Sequence, residues 1–283
     1  MPELPEVETI RRGLDSLVVR KKIRSVKVLC EKSFMGPAEL ACAKVVAIRR
    51  RGKCLIFDFD NGVSMMVHLR MTGQLIYRGR EDFAGGHPSD NFVSELPNKQ
   101  TRVIFEFDDG MLYFNDQRKF GFCKVLPKEE VEQDKFIASL AEEPWEIDEA
   151  VFYERLQRHK NSPIKAVILD QKIICGLGNI YADEALYDAG IHPRTLAGKL
   201  SFDEAVALVA SAKKVMEASI ASGGSTMKTY VRADGTKGDY LEKFAQVFRR
   251  EGCECARCGG EIEKIRVAGR GTHICPHCQK EQR

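Results

Sequence analysis

The chain has 283 residues, 43% of them hydrophobic and 30% charged, with a formal net charge of +3. That length holds two ordinary domains with cores of their own, and that balance excludes a disordered or fibrous chain. No apolar run reaches the roughly eighteen residues that a spanning helix needs, so no candidate membrane segment is read.

The charge is unevenly placed. Residues 1–150 carry 23 Lys/Arg against 25 Asp/Glu, and residues 151–283 carry 21 against 16. The basic character gathers in the C-terminal half, a weak pointer to a polyanionic partner and equally consistent with a solvated surface.

The opening Met1-Pro2-Glu3-Leu4-Pro5-Glu6 is acidic and proline-rich, the opposite of a signal peptide, and predicts a protein that stays in the cytoplasm. Pro2 follows the initiator methionine, and a small second residue favours removal of Met1. A free terminal amine titrates at about 7.7–8.0, so a usable fraction is unprotonated at neutral pH. Such an amine attacks a sugar aldehyde carbon to form a Schiff base. Glu3 beside it, and Glu6 one helical turn on, can shuttle protons. Taken alone, Met-Pro-Glu is equally an ordinary helix start.

Residues 5–19 read as a helix, with Pro5 in its first turn and Val7, Ile10, Leu14, Leu17 and Val18 at helical spacing. Short β-like runs follow at 23–30, 44–49, 53–59, 63–69, 102–108, 111–115 and 121–126, separated by turns such as Asp60-Asn61-Gly62. They predict an antiparallel sandwich or barrel. The stretch 79–101 reads as a long loop. The acidic segment 129–150 reads as a linker.

Helical periodicity then returns over 149–159, 163–175 and 180–189, broken at Gly176-Leu177-Gly178-Asn179. Ser201-Phe202-Asp203-Glu204 is a capping box that opens a helix to about 220. Ser222-Gly223-Gly224-Ser225 ends it, and 232–239 reads as a polar loop.

The C-terminus carries Cys255-x2-Cys258 and Cys275-x2-Cys278, separated by sixteen residues. Two knuckles of this kind close a four-thiolate shell around one structural Zn²⁺, with no open position for a catalytic water. His273 and His277 stand close enough to compete, but the four-cysteine set is the more regular. The hairpin 262–274 would present Lys264, Arg266, Arg270 and His273. The six other cysteines read as reduced thiols.

Taken together, these motifs resemble the formamidopyrimidine-DNA glycosylase family. The resemblance runs through Pro2-Glu3-Leu4-Pro5-Glu6-Val7-Glu8-Thr9, Arg51-Gly52-Lys53, His68-Leu69-Arg70-Met71-Thr72-Gly73 and Arg118-Lys119-Phe120-Gly121. It continues in Gly176-Leu177-Gly178-Asn179-Ile180-Tyr181-Ala182-Asp183-Glu184, Gly269-Arg270-Gly271-Thr272 and Cys275-Pro276-His277-Cys278-Gln279. It spans the whole chain in order.

The resemblance implies an α+β multidomain protein. A β-sandwich with a leading helix is expected over 1–128, a linker over 129–150, a helix-two-turn-helix domain over 151–247 and a zinc finger over 248–283. It implies a monomer bound to double-stranded DNA containing oxidised purines or abasic sites, nucleoid-associated in the cytoplasm. Its activity would be base excision followed by β,δ-elimination.

By position, Pro2 matches the Schiff-base nucleophile and Glu3 the proton donor. Lys53 matches the lysine of β-elimination, where residue type alone suggests a surface strand end. Arg270 matches the finger arginine that grips phosphates and assists δ-elimination. Asn179 matches a phosphate-binding asparagine on a helix start, a position suited to anions. Lys160 and Gln100 are further expected DNA contacts. Met71, Arg118 and Phe120 match the insertion set: two wedges, and an arginine able to bond the orphaned cytosine. Residue type alone would put Met71 and Phe120 in the core. Residues 222–239 match a lesion-capping loop, with Thr226, Lys228, Thr229 and Tyr230 near the flipped base.

Four departures stand out. Gln100 replaces a histidine, Ala141-Glu142-Glu143-Pro144 replaces a Gly-Pro-Glu-Pro linker, Phe248-Arg249 replaces Tyr-Gly, and Cys253 sits two residues before the first metal ligand. The sister endonuclease VIII family usually opens Pro-Glu-Gly-Pro-Glu, and Leu4 favours the purine branch. A non-catalytic zinc-ribbon DNA binder would keep Arg270 and the cysteines without needing a processed terminus. RNA binding through the ribbon has only the basic residues behind it.

Overall fold

A computed structural model describes residues 1–37, 40–87, 94–224 and 243–281. The chain divides into two units, one built on Met1–Ala138 with 222–224, the other on Ser139–Ala221 with 243–281.

The first unit opens with helix α1 (Leu4–Val18). Its N-terminus is closed by a reciprocal capping box: the Glu3 side chain accepts the Glu6 amide, and the Glu3 amide donates to Glu6 Oε2 at 2.8 Å. Val7, Ile10, Leu14, Leu17 and Val18 all enter the core, as their spacing predicts.

Among the described residues ten strands follow: β1 (Ile23–Val28), β2 (Phe34–Met35), β3 (Val45–Arg51), β4 (Cys54–Phe59), β5 (Val63–His68), β6 (Gly73–Gly79), β7 (Phe83–Gly86), β8 (Thr101–Phe107), β9 (Gly110–Asp116) and β10 (Phe122–Pro127). They form two five-stranded sheets, in the orders β1-β8-β9-β6-β7 and β2-β10-β5-β4-β3. Leu55, Phe57, Val67, Leu75, Phe105 and Phe114 share one core between them. This is the expected sandwich with a leading helix.

Two expectations need correction. Residues 73–79 form a strand that the sequence reading did not name, and 79–101 is not one long loop, because 83–86 pairs with it. Both segments are rich in glycine, which reads locally as turn. Pairing between β9 and β6, and the packing of α1 on β7, supply what propensity lacks. A short helix α2 (Lys135–Ala138) with buried Ile137 falls inside the acidic stretch 129–150.

The second unit contains α3 (Glu149–Arg158), α4 (Ile164–Ile168), α5 (Asn179–Asp188), α6 (Phe202–Ala221) and a hairpin of β11 (Glu263–Val267) and β12 (Arg270–Ile274). Asp148 caps α3, and Ser201 with Glu204 closes the expected box on α6. The predicted helix over 163–175 stops at Ile168. Beyond it, the Gln171 side chain donates to the Leu169 and Leu177 carbonyls and accepts from the Gly176 amide. Those bonds hold the chain in the two turns that precede α5.

Candidate functional site

Within the first unit, Pro2 and Glu3 are both buried, Glu3 to 3% exposure, at the head of α1. The positive end of the α1 dipole points at this spot. The Met1 α-ammonium reaches His87: burial first, then this charge, push the His87 pKa down. Gly224 stands 3.6 Å from Glu6 through an ideal Cβ, so the start of the expected capping loop lies beside the same helix turn. Thr226, Lys228, Thr229 and Tyr230 lie outside the described residues.

Lys53 follows Gly52, whose φ of 56° turns the β3–β4 hairpin in two residues. Lys53 is not a surface lysine but is 6% exposed. The hairpin is tied to α1 through Arg50, which donates to Glu8 Oε2 at 3.1 Å and to the Gly52 carbonyl at 3.1 Å. Glu8 also receives Arg11 and Arg12. Burial would raise its pKa, but these hydrogen bonds and the charges of Arg11 and Arg50 hold it down at about 2.

Lys53 also bears electrostatically on His68, at the end of β5. The buried His68 ring stacks on Phe122 and meets Phe136 edge-on, and its Nδ1 accepts the Arg70 amide at 3.0 Å.

Met71 and Phe120 are 38% and 55% exposed, so neither is a core residue. The Arg118 guanidinium lies 4.9 Å from the centre of the Phe120 ring, over its face. The Arg118 amide donates to Thr72 Oγ1 at 3.1 Å, which brings the two turns carrying the expected insertion set together. Gln100 is half-buried nearby, its carbonyl taking the Asp116 amide at 2.9 Å.

In the second unit, Asn179 opens α5 and donates through Nδ2 to the Gly271 carbonyl at 3.1 Å, next to the exposed Arg270. Beneath them lies a pair the sequence reading missed. Lys165 and Asp183 have fully buried side chains, 2.6 Å apart. Lys165 Nζ also donates to Thr272 Oγ1 and the Gly271 carbonyl, and Asp183 Oδ2 accepts the His273 amide at 2.9 Å. The signal for Lys165 was a charge inside an apolar stripe, a position that demands a partner. Asn179 and Arg270 are thereby set on one frame. Lys160 stands apart, exposed on the turn after α3.

Glu184, buried beside Asp183, accepts three successive amides, those of Gln246, Val247 and Phe248. Burial pushes its pKa up, against the pull of these bonds.

The Sγ atoms of Cys255, Cys258, Cys275 and Cys278 all lie within 4.8 Å of one another. A tetrahedral shell with zinc–sulfur bonds of about 2.3 Å has edges of about 3.8 Å. The Cys255–Cys278 and Cys258–Cys275 separations of 3.9 and 3.4 Å fit it. His273 is not a competing ligand: its ring faces Asp183 at 3.3 Å. Cys253 is exposed and outside the cluster.

Three family models match in order. They are the formamidopyrimidine-DNA glycosylase N-terminal domain over residues 1–123, its H2TH domain over 140–231, and the zinc finger found in FPG and IleRS over 253–280. The formamidopyrimidine-DNA glycosylase of Exiguobacterium sibiricum is 42% identical across 99% of both chains. The chain belongs to the formamidopyrimidine-DNA glycosylase family. The Pediococcus pentosaceus member is 39% identical, again over 99% of each chain. Among solved structures, a Lactococcus lactis Fpg mutant complexed with DNA containing Fapy-dG matches with a TM-score of 0.87. It is 34% identical, over 99% of this chain and all of that one. The Lactococcus lactis Fpg complex with abasic-site DNA matches with a TM-score of 0.87 at 33% identity, covering 99% of this chain and all of that one.

Proposed function

We propose that this chain removes oxidised purines, 8-oxoguanine and formamidopyrimidines, from double-stranded DNA and cuts the abasic strand through a Pro2 Schiff base. The observation that carries the assignment of the nucleophile is the burial of Pro2 and Glu3 together at the positive end of α1. A damaged base cannot be attacked inside the stack and must first be rotated out. Met71 and Phe120 fill and wedge the gap, while Arg118 bonds the orphaned cytosine.

With Met1 removed, the Pro2 nitrogen attacks C1′, the glycosidic bond breaks and the base leaves with a proton. Glu3 supplies the proton that opens the sugar ring, leaving a cationic iminium that serves as an electron sink. Lys53 assists β-elimination of the 3′ phosphate. Arg270, with Asn179, Lys160 and Gln100, holds the backbone, and Arg270 assists δ-elimination of the 5′ phosphate. Zinc, held by Cys255, Cys258, Cys275 and Cys278, supplies the folding energy of the finger.

We read residues 1–128 as the catalytic domain, 129–150 as the linker, 151–247 as the DNA-binding domain and 248–283 as the finger. The enzyme would act as a monomer on nucleoid DNA in the cytoplasm.

Borohydride trapping on an 8-oxoguanine duplex, with mapping of the cross-linked residue, tests the nucleophile. The expected adduct is on Pro2, and Pro2→Gly should bind DNA with less trappable adduct. A cross-link on another residue, or an unchanged yield in Pro2→Gly, refutes the assignment. Strong preference for thymine glycol opposite adenine over 8-oxoguanine opposite cytosine would refute the purine reading.

A further inference from the structure

Met71 and Phe120 stand on two separate turns, and a wedge made from two turns depends on their spacing. One carboxylate joins them. Asp116, the last residue of β9, is 1% exposed. Its Oδ1 accepts the Thr72 hydroxyl and, at 3.1 Å, the Arg118 amide. Its Oδ2 accepts the amides of Phe120 at 2.8 Å and Gly121 at 2.7 Å. Ionised acceptors make such bonds roughly twice as strong as neutral ones.

Its main chain holds a third segment. The Asp116 amide donates to the Gln100 carbonyl, and the buried Arg102 guanidinium donates to the carbonyls of Asp116 at 2.7 Å and Lys99 at 3.1 Å. Met71, Gln100, Arg118 and Phe120 are therefore each bonded to Asp116 or on a turn bonded to it.

The path of the turns leaves little slack. A Cβ at Gly121 would stand 2.9 Å from the Phe114 ring and 3.0 Å from the His68 carbonyl oxygen. One at Gly73 would stand 2.3 Å from the Leu69 carbonyl oxygen.

We propose that Asp116 is a positioning residue for base extrusion. Its carboxylate locks the Thr72 turn and the 118–121 turn into one unit, so that Met71, Arg118 and Phe120 enter the duplex together. The inference rests on the reading of those three residues as the insertion set.

Asp116→Asn keeps the size but turns an amino group toward N–H donors. Under single-turnover conditions, the ratio of 8-oxoguanine excision to cleavage of a preformed abasic site should fall about tenfold to a hundredfold. An abasic site has no base to extrude, so a general loss of folding would lower both rates and spare the ratio. Amide hydrogen exchange should quicken at Arg118, Phe120 and Gly121 but not in β4 and β5. Thr72→Val, which removes only the hydroxyl bridge, should shift the ratio in the same direction by less.

An unchanged ratio in Asp116→Asn, or exchange that quickens throughout the unit, overturns the inference. Met71→Ala and Phe120→Ala separate the two levels. If both lower the ratio while Asp116→Asn does not, only the carboxylate's role is lost. If neither lowers it, the insertion-set reading falls and takes the inference with it.

Discussion

His68 shows how surroundings decide what a side chain can do. Burial, then the charges of Arg70 and Lys53, hold its pKa at about 3. The ring is neutral at physiological pH and accepts the Arg70 amide. In the unfolded chain the same ring titrates near 6.5, so the unfolded state takes up the proton first as pH falls. Stability is therefore lost from about pH 6.5 downward towards 3, by at most about 1.4 kcal/mol per pH unit. His68→Asn keeps an acceptor for the amide but cannot titrate. Its stability deficit against the parent, measured by urea unfolding, should narrow as pH drops from about 7 to about 5. A constant deficit would mean that His68 is not the titrating group. At this scale the sequence made the four cysteines legible, because a metal shell follows from residue type and spacing; Pro2 and Glu3 stood out from an ordinary helix start only through the family resemblance. The sequence did not make the burial of Lys53 legible, since that depends on a hairpin folded against α1 by Arg50.

Helix α1 and the β3–β4 hairpin carry different parts of the proposed chemistry, and Glu8 with Arg50 fixes one against the other. Glu8→Gln should cost about 1.5–3 kcal/mol in urea unfolding, because Arg50 and its neighbours lose a charged acceptor. It should also slow β-elimination through a displaced Lys53, read as abasic-site cleavage; an unchanged rate would show that the hairpin keeps its place without the pair. The finger has a different source of stability. Cys258→Ser should release zinc, measured by atomic absorption, and disorder the ribbon, since the metal and not a large core holds it. Tight DNA binding should go with it. The elements that escaped sequence reading are those defined by partners. β6 and β7 need each other and β9, and the chain after Ile168 follows the Gln171 side chain rather than its apolar stripe.

Over the whole molecule the net charge is only +3, so attraction to DNA has to come from particular side chains, and we propose Arg270 as the foremost. Binding should weaken steeply with salt, and Arg270→Ala should lower the slope of log affinity against log salt by about one, equally for damaged and undamaged duplexes. A loss confined to lesion-containing duplex would instead make Arg270 a specificity residue. Both units were legible as sheet-rich and helix-rich halves because hydrophobic period changes along the chain. The joints beneath the proposed active side chains were not, because Lys165 with Asp183, and Asp116 with Thr72, are far apart in sequence.

The tips of the insertion turns are exposed side chains, while their frame is a buried acid, main-chain amides and two glycines with no room for a methyl group. Frame and tip can therefore diverge at different speeds. On the proposed reading, the side chains that enter DNA can be exchanged, and with them the opposing base that is accepted, while the frame keeps its geometry.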